Sequence, residues 1–105
     1  MTPTENEVWL INTGDDIIAK RAAELEITPW ERLVYCLWVA DYSMRNAGDL
    51  ETALDLSPQF MEDGLRISTD LQLLFTAATF SLSKMLFERQ YFERFDHICD
   101  EIKPA

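Results

Sequence analysis

Apolar residues recur along this chain at intervals of three and four, the spacing of one helix face, and seldom alternate as a half-buried strand requires. The clearest helix start is Thr28-Pro29-Trp30-Glu31. Thr28 suits an N-cap, Pro29 the first helical position, and Glu31 completes a capping box. The helix predicted from there, residues 29–46, carries Leu33, Val34, Tyr35, Cys36, Leu37, Trp38, Val39 and Ala40. Its apolar surface wraps most of the way round, which marks a central, largely buried helix. Asn46-Ala47-Gly48 ends it, with Gly48 able to take the left-handed conformation after the last turn.

Upstream, Thr4-x-x-Glu7 is a second capping box leading into Val8, Trp9, Leu10 and Ile11. Gly14 interrupts, and Asp15 or Asp16 can cap a further stretch over Ile17–Leu25, so that one bent helix or two are expected. Downstream, a short helix is expected between Gly48 and Ser57. Another restarts at Ser57-Pro58, carries Phe60 and Met61, and ends at Gly64. Ser68 or Thr69 is placed as the cap of a helix bearing Leu71, Leu74, Phe75, Ala78, Leu82 and Met85. A last stretch, Tyr91–Ile102, puts Phe92, Phe95, Cys99 and Ile102 on one stripe, either alone or as a continuation of the helix before it. The expectation is all-α: residues 1–105 as one compact domain, a bundle of about five helices around a buried central helix.

Charge adds an asymmetry. The chain holds 19 Asp+Glu against 9 Lys+Arg, a formal net charge of −10 on 105 residues. Residues 1–63 hold 13 acids against 4 bases (−9), and residues 64–105 hold 6 against 5 (−1). Between Asn46 and Leu65 there is no base, while Asp49, Glu51, Asp55, Glu62 and Asp63 all fall there. A field of this sign repels nucleic acid and anionic lipid and attracts basic partners. Asp15 and Asp16 are possible extensions of the same patch. The run also admits a plainer reading, a solvated surface that keeps the protein soluble.

The start of the chain has no basic region followed by an apolar one, so no secretion signal is read there. The longest apolar run, Leu33–Ala40, is eight residues, short of the ~20 needed to span a bilayer. Cys36 and Cys99 lie in apolar helical patterns and read as reduced, buried thiols. A cytoplasmic protein is the expectation.

Catalytic constellations are thin. His97 is the single histidine, with Glu93 and Glu101 one turn either side, and no nucleophile accompanies it. His97 and Cys99, two apart on a helix, do not face each other, and no Cys-x-x-Cys or Glu-x-x-His spacing exists for a metal. Thr76, Thr79 and Ser83 make a hydroxyl stripe with Gln72, either a solvent face or a close helix contact, since no base activates them. No cofactor and no enzyme activity are expected. The aromatics lack the basic groove of single-strand binders and read as core. Trp9, near the chain start, is a candidate for an interface.

The segment Thr28–Gly48 resembles a family of small acidic helical proteins that includes a bacterial DNA-mimic protein. The likeness rests on the capped helix beginning Glu31-Arg32, followed by Tyr35 and Trp38. The chain departs at Asn46-Ala47-Gly48, with Ala47 where the family has glycine, and at Asp49-Leu50, where it has an aromatic. The resemblance implies an all-helical protein whose carboxylates occupy the site of a DNA-binding protein. The expected function is therefore binding of a basic protein surface, such as a DNA-binding regulator, nuclease or toxin, through Asp49, Glu51, Asp55, Glu62, Asp63, Asp15 and Asp16. The alternative is a structural or oligomerisation module, with a homodimer formed through Tyr91, Phe92 and Phe95 of the C-terminal helix.

Overall fold

The structure, a computed structural model, describes residues 2–105. Six helices follow one another: α1 Glu5–Ala22, α2 Pro29–Ala47, α3 Glu51–Leu56, α4 Phe60–Asp70, α5 Leu74–Phe80 and α6 Lys84–Ile102. No strand occurs among the described residues. Both capping boxes form: the Thr4 hydroxyl accepts from Glu7 N–H at 3.2 Å, and that of Thr28 from Glu31 N–H at 3.1 Å. Each glutamate accepts in return from the backbone N–H of its cap residue. Gly48 closes α2 at φ 75°, as expected.

Helix α2 is the centre of the bundle and packs against α1, α3, α4 and α6. Leu33, Val34, Leu37, Val39 and Ala40 are fully buried along it. Two polar residues are buried with them. Ser43 donates to the carbonyl of Asp49 at 2.6 Å and accepts from Ala53 N–H at 3.1 Å, which fixes α3 to α2. Asp41 accepts from Tyr91 Oη at 2.6 Å and from Arg45 Nε at 2.9 Å, and Arg45 reaches Glu7 at 2.9 Å. One buried carboxylate thus joins α1, α2 and α6. Burial pushes its pKa above the ordinary aspartate range, against the pull of Tyr91 and Arg45.

A second layer of core is aromatic. Phe60, Phe80, Phe87, Tyr91 and Phe95 pack ring to ring at 5.7–6.3 Å and are all buried. Trp9 packs edge-on against Trp30 at 6.4 Å, and Lys103 lies over it at 5.4 Å. Trp30 Nε1 donates to Ile102 O at 2.8 Å, so these residues dock the two chain ends onto the start of α2. Trp9 thus makes an internal contact and stays only partly buried. Cys36 and Cys99 are free and buried, and burial raises both thiols to about 12.

The middle of the chain departs from expectation. Gly14 does not split the first helix, and α1 runs unbroken through it. Gly64 does not end a helix: it lies inside α4, where an added Cβ would sit 2.6 Å from the Phe80 ring. A bare Cα is what lets that ring approach. Ser68 and Thr69 cap nothing. Their hydroxyls donate back to Gly64 O at 2.6 Å and Leu65 O at 2.7 Å, satisfying themselves within α4. The break falls at Leu71–Leu73, with Gln72 at φ 59°. The expected single helix over Leu71–Met85 is thus two, and Leu74 and Met85 are exposed. Ser83 caps α6, which then continues through Tyr91 to Ile102.

Helix α5 owes its start to a residue distant in sequence. Glu101 accepts from the N–H groups of Phe75 at 3.0 Å and Thr76 at 2.7 Å. Burial raises the Glu101 pKa, but the hydrogen bonds from Thr76 and Phe75 and the nearby His97 lower it more, leaving it below the ordinary value. Its stabilising contribution is therefore present above the ordinary glutamate pKa and is lost as pH falls through the folded value. Glu101→Gln should cost about 1 kcal/mol near neutral pH and should flatten the loss of stability as pH falls below the ordinary glutamate pKa. Urea titrations across that range check both.

Gly64→Ala gains helix propensity of about 1 kcal/mol but overpacks Phe80 at a cost of about 1–3 kcal/mol. A net loss of stability is expected, relieved when Phe80 is cut back to Leu. Chemical denaturation of the single and double variants measures it.

Candidate functional site

The seven carboxylates singled out in the sequence divide by environment. Asp49 is spent locally, accepting from Glu51 N–H at 3.0 Å in the turn before α3. Glu51 pairs with Lys84 at 2.9 Å. Asp63 lies 3.3 Å from Arg66 and 3.7 Å from Arg32. The stretch that is free of bases in sequence is therefore supplied with bases in space by α2, α4 and α6. Asp15, Asp16, Asp55 and Glu62 are exposed and make no ion pair among the described residues.

A groove of about 630 Å³ opens between α1, α2 and α3. Its floor is a stack of three aromatic rings from α2. Tyr35 and Trp38 stack at 6.2 Å with planes 15° apart, and Trp38 and Tyr42 at 5.4 Å and 19°. The spacing i, i+3, i+7 puts all three on one stripe of the helix. Ile18, Arg21 and Ala22 form the α1 bank, and Thr52 and Leu56 the α3 bank. The Arg21 guanidinium lies 4.0 Å above the Tyr35 ring and closes that end. At the other end Tyr42 is 45% exposed, and Leu56 beside it on the α3 bank is 52% exposed.

The floor depends on Gly14. A Cβ there would overlap the Trp38 indole, so the ring lies directly against the α1 backbone. Contacts along the pair show α1 and α2 running antiparallel: Lys20 with Glu31, Arg21 with Tyr35, Gly14 with Trp38, Glu7 with Arg45. The aromatics of α2 were expected to be core. This stripe is instead half-buried, and its spacing together with a mid-helix glycine is the signal in the sequence that marks it.

The remaining candidates are placed as follows. His97 is exposed and stacks on Phe75 at 3.7 Å, while Glu101 is engaged on the α5 backbone. Thr76 and Thr79 are fully buried in a close helix contact, while Gln72 and Ser83 of the same stripe are exposed. Thr79 accepts from Arg94 at 3.0 Å. In the C-terminal stripe Tyr91 and Phe95 belong to the core, leaving Phe92 exposed at 52% with the Arg45 guanidinium 5.3 Å from its ring. A dimer contact built from all three residues has no surface to use. No cluster of three or more potential metal ligands occurs among the described residues, and no described helix is long and apolar enough to cross a membrane.

Comparison with known protein families, with curated proteins and with solved structures finds no match.

Gly14→Ala should push Trp38 out of place and lower stability by about 1–2 kcal/mol. In a Trp38→Ala background the same change should raise stability by up to about 1 kcal/mol, because only the helix propensity gain remains. Denaturation of the four proteins in this cycle gives the coupling.

Proposed function

We propose that this chain is a non-catalytic binding protein that engages a basic protein surface. The observation that carries the reading is the set of exposed carboxylates Asp15, Asp16, Asp55 and Glu62, which no base of the chain neutralises among the described residues. Two of them lie on α1, one on α3 and one on α4, all held by helices packed onto α2. Carboxylates on a rigid helical body are pre-organised, so little ordering accompanies their use. A net charge of −10 adds long-range attraction for a cationic partner and raises the rate of encounter.

The resemblance of Thr28–Gly48 to the DNA-mimic family supports the same class of partner: a DNA-binding regulator, nuclease or toxin whose site is shaped for phosphates. Duplex DNA carries one charge per ~1.7 Å of axis, and exposed Asp and Glu can stand in for some of them. Asp49, Glu51 and Asp63 contribute to this field with their charges partly met by their neighbours.

The test is a charge-matched pair of variants. One neutralises Asp15, Asp16, Asp55 and Glu62 as Asn or Gln. The other neutralises Glu24, Glu26, Asp70 and Glu93 and has the same net charge. Wild type and the second variant should capture the same proteins from lysate at low salt and release them at high salt. The first variant should bind them about tenfold more weakly. Equal capture by both variants at every salt concentration would show that no specific carboxylates are used.

A further inference from the structure

We infer that the groove between α1, α2 and α3 seats the apolar side of an amphipathic, basic helix, whose lysines or arginines reach Asp15 and Asp55 on its two banks. This inference rests on the proposed function and names the chemistry of the partner segment.

The floor sets the apolar requirement. Tyr35, Trp38 and Tyr42 present a continuous stack, and neighbouring Leu56 is left half in water. Rigid aromatic surface of this kind anchors interfaces at low entropic cost. Beyond the groove the same side of α1 offers Ile11, 48% exposed, seven residues before Ile18 on the helix. From Ile11 to Ala22 is roughly 16 Å of helix axis, the length of about three turns of a docked helix.

The banks set the charge. Asp15 precedes Ile18 by three residues and Ala22 by seven, which places it at the edge of the lining face of α1. Asp55 follows Thr52 by three residues and sits beside Leu56 on α3. Both are exposed and unpaired among the described residues, one on each of the helices that bank the aromatic floor. Arg21, the one charged residue lining the groove, is held over the Tyr35 ring at one end, so a segment with an apolar stripe whose cations lie toward Asp15 and Asp55 complements the layout.

The backbone chooses a helix. The groove is walled by helices and has no strand edge among the described residues, so an extended peptide would find no ladder for its N–H and C=O groups. A helix satisfies its own backbone and buries one face, the helix-in-groove mode of recognition. A second copy of this chain is a poor occupant, because two bodies of charge −10 repel.

The probe is a synthetic peptide of about 18 residues made of Leu, Ala and Lys, with Leu at helical spacing. A scrambled peptide of the same composition is the control. Titrated against the full chain, the patterned peptide should bind at least about tenfold tighter than the scrambled one. Tyr42→Ser and Leu56→Ser, both at half-exposed positions, should each weaken the patterned peptide severalfold and leave the scrambled one unchanged. Asp15→Asn with Asp55→Asn should weaken binding and flatten its salt dependence. Equal binding of the two peptides, with only the Asn variant affected, would overturn the groove and leave the acidic binding reading standing. Absence of patterned-peptide binding would overturn the inference, the lysate comparison still deciding the broader function. A dimer in sedimentation that strengthens with salt and is lost in Leu56→Ser would assign the groove to a second copy and overturn it as well.

Discussion

The Trp38 ring lying on the backbone of Gly14 is the contact on which both the packing of α1 and the shape of the surface beside it depend. A side chain at position 14 would hold the two helices apart. Without one, α1 comes close enough for its first turn to reach Arg45 and its last to reach Glu31. The same approach turns Trp38 flat between Tyr35 and Tyr42 and makes a stack of them. Gly64 repeats the device in the core, where Phe80 takes the place of Trp38. Two mid-helix glycines, each unfavourable for its helix by about 1 kcal/mol, are thus explained by two ring contacts. One is internal to the fold, and the other shapes a surface.

Around this, α2 is held by groups that distant parts of the chain supply. Tyr91 from α6 and Glu7 from α1 converge on Asp41 and Arg45. Glu88 accepts from Leu50 N–H at 2.8 Å at the start of α3, and Glu101 does the same for α5. Helix α6 therefore supplies the carboxylates that two short helices lack in their own caps. Short helices are marginal alone, and here their starts are fixed by hydrogen bonds from a helix 25 to 38 positions away along the chain. Glu88 and Glu101 are thereby committed to the fold, while Asp15, Asp16, Asp55 and Glu62 stay exposed and unpaired among the described residues.

Much of the fold is legible from local signals. The capping boxes at Thr4 and Thr28, the stop at Gly48, the buried run of α2 and the all-helical class follow from neighbours three or four residues apart. What misleads is glycine and the hydroxyls. Gly14 and Gly64 read as breaks because a sequence shows their poor propensity and not the ring that comes from elsewhere to use the space. Ser68 reads as a cap because its back-bond to Gly64 exists only once α4 has formed. The acidic run reads as a block because Lys84 and Arg32, which meet Glu51 and Asp63, lie 33 and 31 positions away along the chain. The groove is the least legible feature: its three rings sit in a helix whose other faces are all core, and only their common stripe sets them apart.

Acidity and aromatic surface are two aspects of one proposal, since Asp15 and Asp55 lie on the two helices that bank the stack of α2. Its central claim is that this stack is a recognition surface and not merely an exposed flank of the core. The most direct measurement is the indole N–H resonance of Trp38, followed together with Trp9 and Trp30, as the patterned basic helix is added to the folded chain. The account predicts that the Trp38 resonance shifts with saturation while Trp9 and Trp30, docked at the chain ends, stay in place. Shifts at Trp9 and Trp30 with Trp38 unmoved would contradict it.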